Sequence, residues 1–171
     1  MIVIPNKFTF VATPRTGSRA ISEALIRKYP DAITEYPNDH HAAPDSVPTD
    51  LPIYTVLRNP LDQLLSWWAH VDLRHNSWRG PIDFALEYEN VMYLPKYDKF
   101  RLNIYGDVAT VFMPYDRGLR RVADALDLRD IETVGKSDLP HISQDEILTL
   151  QRVLDNHFKY DMALWGTYHS V

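Results

Sequence analysis

Two kinds of hydrophobic pattern alternate along the chain. Short apolar runs of strand length occupy residues 8–13, 53–58 and 109–113, and residues 32–36 form a weaker run of the same kind. Other segments are longer, and their apolar residues recur every three or four positions, as on one face of a helix. The alternation predicts an α/β fold with three layers, in which helices flank a mainly parallel sheet and ligands bind at the carboxyl ends of the strands.

Two of the predicted helices have clear starting signals. One begins with Asn59 as N-cap and Pro60 at the first helical position, where the missing N–H costs nothing. The last helix begins with a capping box of Ser143 and Glu146. Further helices are predicted over residues 17–28 and 116–126, and in pieces between residues 78 and 105.

Composition and charge narrow the classes of protein. A chain of 171 residues fits one domain, and its net charge of −5 argues against a nucleic-acid partner, since neutralising phosphates needs a basic surface. The absence of cysteine excludes disulfides and thiolate chemistry, and no apolar run is long enough to span a membrane. No cluster of carboxylates and histidines indicates a metal site. We therefore expect a single cytoplasmic domain over residues 1–171, with neither a membrane nor a metal as partner.

The first candidate site follows the first predicted strand, where the sequence FVATPRTGSRA leads into a helix. Backbone N–H groups and the positive end of a helix dipole converge at such a junction, which suits a phosphate. Gly17 lets the backbone approach the anion closely. Thr16 and Ser18 offer hydroxyl donors, while Arg15 and Arg19 add charge and forked hydrogen bonds. The Walker A spacing is absent. An ordinary strand–turn–helix connection is the alternative.

The second candidate site lies at the end of the strand at residues 53–58, in the sequence RNPLDQLLS. Arg58 ends the strand, and Ser66 lies two turns into the following helix, on a face shared with Asp62 and off the apolar stripe. An arginine at a strand end and a hydroxyl on the adjoining helix can bind one phosphate group. The alternative is that Arg-Asn-Pro is simply a common helix start.

Both motifs resemble those of sulfotransferases that use 3′-phosphoadenosine 5′-phosphosulfate (PAPS). The first is similar to the family's 5′-phosphosulfate loop, and GSRAISEAL looks like the corresponding helix start of heparan sulfate O-sulfotransferases. The second matches the family's 3′-phosphate motif R-x-P-x-D-x-x-x-S at Arg58, Pro60, Asp62 and Ser66. The likeness is close over the first seventy residues and looser in the rest of the chain.

The resemblance implies a P-loop NTPase-like fold and a definite reaction. A sulfuryl group would pass from PAPS to a hydroxyl or amine of a small-molecule or glycan acceptor, with 3′,5′-ADP as product and no metal. Arg15 stands where the family usually has a lysine that contacts the leaving oxygen, so Arg15 is also a catalytic candidate. The loop VGKSDLPHIS is similar to a loop of heparan-type sulfotransferases that closes over the nucleotide, which makes Lys136 a nucleotide-binding candidate. The alternative is that Lys136 is simply a surface residue. The implied nucleotide-binding residues are Arg15, Thr16, Gly17, Ser18, Arg19, Arg58, Ser66 and Lys136.

The general base is expected in the segment 37–52, whose four prolines among polar residues predict a long loop. Loops of this length within a compact domain are usually either functional or disordered. His40 and His41 are the catalytic candidates, because imidazole titrates near neutral pH. Adjacent side chains of an extended segment point in opposite directions, so one of the two is expected to face the sulfur. We favour His40, since heparan-type enzymes keep a histidine just after their glutamate. Asp39 or Glu35 could be the base instead, or could orient the imidazole ring. A solvent-exposed histidine pair without a role is a further alternative.

Two other functions stay open. A divergent P-loop kinase is one, although the Gly-Lys-Ser/Thr sequence and an obvious Mg²⁺ carboxylate after a strand are missing. The other is a non-catalytic nucleotide-binding or interaction module of the same fold, which the short chain favours. Several aromatic residues either line an acceptor pocket or belong to the core: Trp67, Trp68, Trp78, Tyr88 and Tyr93.

Overall fold

The computed structural model describes residues 1–13, 15–34, 50–75, 80–87, 110–115, 119–129, 131 and 141–169. These residues form a mixed α/β fold arranged in two compact units. The first unit comprises the described parts of Met1–Leu57 and Lys99–Val134, and the second comprises those of Arg58–Asp98 and Gly135–Val171.

The first unit is built on a four-stranded, mostly parallel sheet, which confirms the predicted α/β class. The strands follow one another across the sheet in chain order: β1 (Ile2–Ile4), β2 (Phe8–Val11), β3 (Ile53–Arg58) and β4 (Thr110–Tyr115). β2 and β3 are parallel, with Val11 opposite Thr55. The connection that follows β2 therefore starts at the carboxyl edge of the sheet, where the sequence placed the first candidate site.

The hydrophobic pattern does not predict β1, which pairs antiparallel with β2. Pro5 and Asn6 form the connecting turn, in which Asn6 has a φ of 59° and the N–H of Lys7 donates to the carbonyl of Ile4 at 3.1 Å. Proline presets the first turn position, and asparagine tolerates the left-handed backbone of the second. The sequence Pro5-Asn6 is therefore typical of a turn, but the three residues of β1 are too few to show the alternating pattern of a strand.

The strand predicted at residues 32–36 is a single bridge within the described part of that segment. Ile33 and Val3 exchange two backbone hydrogen bonds of 2.9 and 3.0 Å, on the side of β1 that faces away from β2. Residues 35 and 36 lie outside the described ranges. The bridge covers part of what would otherwise be an open sheet edge.

Two helices of the first unit, α1 (Ser18–Lys28) and α4 (Arg120–Ala125), are joined at both ends. At their amino ends Leu119 lies against Gly17. At their carboxyl ends Lys28 Nζ donates to Asp127 Oδ2 at 2.6 Å and to the carbonyl of Asp127 at 2.5 Å. A cation is favourable there, because carbonyls at a helix end lack partners within the helix. The two helices therefore run in the same direction.

The core of the first unit is formed by both helices and the sheet. Its buried residues are Ile2, Ile4, Phe10, Ala12, Ala20, Ile21, Ala24, Leu25, Val56, Met113, Leu119, Val122, Leu126 and Leu128. The inward positions predicted for the helix at residues 17–28 are confirmed at Ile21, Ala24 and Leu25. The helix predicted over residues 116–126 is observed as α4, with residues 116–118 outside the described ranges.

The described residues of the second unit form four helices: α2 (Pro60–His75), α3 (Pro81–Glu87), α5 (Gln144–His157) and α6 (Lys159–His169). α5 packs against α3, and α2 contacts α3, α5 and α6. The buried apolar side chains include Leu64, Leu65, Trp68, Ala69, Phe84, Ala85, Leu150, Leu154 and Phe158. Within the described ranges, every helix is too short or too polar to cross a lipid bilayer.

Both predicted helix starts of the second unit are confirmed. Asn59 Oδ1 accepts the N–H of Leu61 at 2.9 Å, and Ser143 and Glu146 form the capping box in both directions. α5 is not the last helix, however, because α6 begins two residues after α5 ends. The apolar residues of α6 do not form a single stripe, which explains why the helical pattern did not predict it.

Candidate functional site

The connection between β2 and α1 is called the 12–17 loop, and its described residues are 12, 13 and 15–17. Over residues 15–17 the backbone alternates in hand. Arg15 has a φ of 60° and Gly17 a φ of 72°, whereas Thr16 between them has no positive φ. Gly17 is the N-cap of α1. Successive residues of opposite hand point their N–H groups toward one concave side, an arrangement that binds anions. The alternating signs of φ over residues 15–17 therefore favour an anion site at this loop.

Gly17 is needed for two reasons that the structure makes explicit. Its φ is left-handed, which costs other L-residues about 1–2 kcal/mol. A Cβ on Gly17 would also lie 2.7 Å from Leu119 Cδ2 and 3.0 Å from Leu119 Cδ1. The space in which a side chain would extend is therefore filled by a leucine. The sequence motif suggested a different reason for glycine at this position, namely the close approach of an anion to the backbone. It gave no indication that Leu119 packs there.

The hydroxyl groups of Thr13 and Thr16 hold the 12–17 loop closed. Thr16 Oγ1 donates to the carbonyl of Thr13 at 2.8 Å, and Thr13 Oγ1 donates to the carbonyl of Val56 in β3 at 2.8 Å. Thr16 is fully buried. A threonine hydroxyl has one proton to donate, so the hydroxyl of Thr16, predicted as a phosphate donor, serves the loop in this structure.

Side-chain bonds between strands fix the base of the 12–17 loop. Thr55 Oγ1 donates to the carbonyl of Val11 at 3.0 Å, next to the bond from Thr13 to Val56. Thr13, Thr16 and Thr55 are all buried, so these bonds form where water does not compete. The loop is thus attached to two strands as well as to α1.

The other predicted residues of this motif differ in exposure. Ser18 is buried in the first turn of α1, Arg15 is half-buried, and Arg19 is exposed. Arg15 also interacts with other groups of the protein. Of the predicted positive charges, Arg19 is therefore the one most open to solvent.

The first turns of α1 and α4, the two helices that meet at the 12–17 loop, carry basic residues, whereas the first turns of the other described helices carry acidic ones. α2, α3, α5 and α6 carry an acidic residue in the first turn, as the helix dipole favours, whereas α1 and α4 carry none. Arg19 lies in the first turn of α1, and Arg120 and Arg121 begin α4. Each such charge is unfavourable by about 0.3–1 kcal/mol, so helix stability does not explain these arginines.

The second candidate site comprises Arg58 and Ser66, both in the second unit. Arg58 is half-buried at the end of β3, and Ser66 lies in α2. Ser66 is 7% exposed, so the expectation that it lies off the buried face of α2 is wrong. α2 contacts three other helices, and its buried face is consequently wider than its leucine stripe. Both residues interact with other groups of the protein.

Several predicted residues lie outside the described ranges. They are the candidate bases His40 and His41, the alternatives Glu35 and Asp39, the loop residue Lys136, and the aromatic residues Trp78, Tyr88 and Tyr93. Of the remaining aromatic candidates, Trp68 is buried in the core of the second unit. Trp67 is half-buried, and its ring centroid lies 6.0 Å from that of His70. The described residues contain no group of three or more side chains suited to hold a metal ion.

Comparisons of the chain with protein-family models, with curated proteins and with solved structures find no match. The functional argument therefore depends on the two motifs and on the geometry described above.

Proposed function

We propose that this chain is a nucleotide-dependent group-transfer enzyme with a three-layer, P-loop NTPase-like arrangement. The particular activity that the candidate sites support best is that of a PAPS-dependent sulfotransferase, which moves a sulfuryl group to a hydroxyl or amine of a small-molecule or glycan acceptor. One observation carries the proposal: the 12–17 loop has two left-handed residues, Arg15 and Gly17, and buried hydroxyl bonds fix it between β2 and α1. A rigid loop of this kind can bind a tetrahedral anion without first becoming ordered.

The 3′-phosphate of the nucleotide is assigned to Arg58 and Ser66, on the sequence motif that both belong to. Arg58 is half-buried, and charge-assisted hydrogen bonds are stronger where water is partly excluded.

In the proposed reaction the acceptor oxygen or nitrogen bonds to sulfur while the bond from sulfur to the bridging oxygen breaks. The electron pair stays on the bridging oxygen, which becomes part of the 5′-phosphate of 3′,5′-ADP, and a base takes the acceptor proton. Arg15 and the backbone N–H groups of the 12–17 loop stabilise the charge on that oxygen. His40 or His41 serves as the base, or else Asp39 or Glu35.

Thermal unfolding of the full chain with different nucleotides tests the proposal. 3′,5′-ADP should stabilise the protein more than 5′-AMP, which lacks the 3′-phosphate, by up to about 2.7 kcal/mol at a hundredfold excess over Kd. ATP with magnesium should stabilise it less than 3′,5′-ADP. A preference for ATP with magnesium would indicate a kinase, and no effect of any nucleotide would indicate a non-catalytic module.

A further inference from the structure

One ammonium group joins the carboxyl ends of α1 and α4. Lys28, the last residue of α1, donates through Nζ to Asp127 Oδ2 at 2.6 Å, to the Asp127 carbonyl at 2.5 Å and to the Leu126 carbonyl at 3.4 Å. An ammonium has three N–H donors, so each of them has an acceptor at the end of α4. These bonds from Lys28 to Leu126 and Asp127 are called the clasp.

Aspartate is not the residue that position 127 favours by itself. α4 ends in a Schellman motif, in which the N–H of Leu128 donates to the carbonyl of Ala123 at 2.7 Å. The residue at the position of Asp127 in this motif is usually glycine, because its backbone is left-handed, and φ is 48° here. A negative charge at the carboxyl end of a helix is also unfavourable. The bond to Lys28 explains why a carboxylate is nevertheless present.

The clasp contributes more to position than to stability. The side chains of Lys28 and Asp127 are 29% and 85% exposed, and ion pairs that are open to water contribute little to the free energy of unfolding. α4, however, has six residues and is about 9 Å long. A helix of this length is not stable through its own hydrogen bonds, so its place depends on contacts at its ends.

The other end of α4 contacts the 12–17 loop. Leu119, the N-cap of α4, is buried and lies with its Cδ2 2.7 Å from the position of a Cβ on Gly17. Protein interiors are close-packed, so a shift of α4 either opens a gap beside Gly17 or presses on it. The short helix therefore links the clasp to the loop.

We propose that α4 braces the 12–17 loop and that Lys28 and Asp127 are positioning residues at the far end of this brace. The clasp sets where α4 lies, and Leu119 transmits that position to Gly17, whose left-handed backbone belongs to the candidate anion site. The effect on ligand binding rests on the proposed phosphate-binding role of the loop. Lys28, Asp127 and Leu119 all lie outside the two sequence motifs.

Amide hydrogen exchange of the full chain without ligand tests the brace. Lys28→Met keeps an unbranched side chain but removes every donor of the clasp. It should speed exchange at Ile21, whose N–H donates to the Gly17 carbonyl at 3.3 Å, by roughly 5- to 30-fold. Thr9, whose N–H donates to the Pro52 carbonyl at 2.8 Å, reports opening of the first unit as a whole. Its exchange rate should change little.

Lys7→Met is the matched control. Lys7 is an exposed lysine of the same unit, and both lysines lie over the Tyr29 ring, Lys7 at 4.7 Å and Lys28 at 5.4 Å from its centre. Lys7 lies between β1 and β2, however, and not at the end of α4. The control removes the same charge and the same kind of ring contact, and it should leave exchange at Ile21 unchanged.

Asp127→Gly separates position from stability. Glycine adopts the left-handed φ of this position freely, so the melting temperature should not fall. Loss of the carboxylate should nevertheless speed exchange at Ile21, because one bond of the clasp is gone. A residue that merely stabilised the fold would change both measurements in the same direction.

Calorimetric titration with 3′,5′-ADP measures what the brace does for binding. Lys28→Met should weaken 3′,5′-ADP binding by roughly 2- to 30-fold, the range of coupling through packed contacts, and Lys28→Arg should keep part of the affinity. Undiminished affinity in Lys28→Met would overturn the proposal. Exchange at Ile21 that matches the Lys7→Met control, or that rises only together with exchange at Thr9, would also overturn it. If Lys28→Met speeds exchange at Ile21 but the unchanged protein does not bind 3′,5′-ADP, the brace is upheld and the proposed function is wrong.

Discussion

Leu119 occupies the space in which a side chain at Gly17 would extend, with its Cδ2 only 2.7 Å from the position of a Cβ. The contact joins the start of α4 to the start of α1 at the 12–17 loop. It relates residues that are a hundred positions apart in the chain, and it makes the shape of the loop depend on a helix that follows β4.

Gly17→Ala should destabilise the protein through both strain and crowding. The left-handed φ costs alanine about 1–2 kcal/mol, and the clash with Leu119 adds about 1–3 kcal/mol. Leu119→Ala alone should cost about 2–5 kcal/mol, but in the double variant it also removes the clash. The double variant should therefore lose about 1–3 kcal/mol less than the sum of the single changes, as measured by urea unfolding. Strict additivity would show that the two residues are not coupled.

Thr16→Val should reduce stability by about 1–3 kcal/mol. The change keeps the shape of the side chain but removes the buried hydroxyl that donates to Thr13, leaving the loop without its internal closure. Thr149→Val is the control, because Thr149 Oγ1 also donates to a backbone carbonyl, that of Asp145, but in an exposed turn of α5. The control should change stability by less than about 0.5 kcal/mol. Similar unfolding free energies for the two variants would contradict the structural role of Thr16.

Arg15→Gly should separate stability from activity. The left-handed backbone at Arg15 is strained, so glycine should leave the protein as stable or up to about 1 kcal/mol more stable. Loss of the guanidinium should nevertheless slow sulfuryl transfer, measured as the rate at which 3′,5′-ADP forms from PAPS. Asn6→Gly relaxes a similar φ of 59° away from the loop and should leave that rate unchanged. An Arg15→Gly variant with full activity would limit Arg15 to a structural role.

Stability at acidic pH should depend on Glu146. The hydroxyl and the backbone N–H of Ser143 donate to its carboxylate and lower its pKa from the ordinary 4.5. A lowered pKa stabilises the folded state above the ordinary value, and this contribution is lost as the pH falls below it. Between pH 6 and roughly pH 3, unfolding free energy should thus fall less in Glu146→Gln than in the unchanged protein. Lys28 also lowers the pKa of Asp127. Because Asp127 is present in both proteins, its effect on stability cancels when their pH profiles are compared. Parallel pH profiles would contradict the effect of the capping box.

The elements that the sequence predicted well have local causes. The bounds of β3, the N-cap at Asn59 and the capping box of Ser143 and Glu146 are all as predicted. Each depends on residues within a few positions of one another, so the pattern of the segment is sufficient.

The features that the sequence did not predict depend on contacts between distant segments. β1 pairs with both β2 and Ile33, and Ser66 is buried on a helix that contacts three others. The packing of Leu119 on Gly17 similarly requires the chain to return after β4. The spacing of residues within one motif does not predict which distant residue packs against that motif.

Binding of 3′,5′-ADP and 5′-AMP to Arg58→Ala, measured by calorimetry, tests the central claim most directly. Loss of one charge-assisted partner of the 3′-phosphate should weaken 3′,5′-ADP binding by about 2–3 kcal/mol and leave 5′-AMP binding unchanged. Arg152→Ala is the matched control, an exposed arginine on α5 of the same unit, and should affect neither nucleotide. Equal losses for both nucleotides in Arg58→Ala, or no preference for 3′,5′-ADP in the unchanged protein, would contradict the assignment of this chain as a PAPS-dependent sulfotransferase.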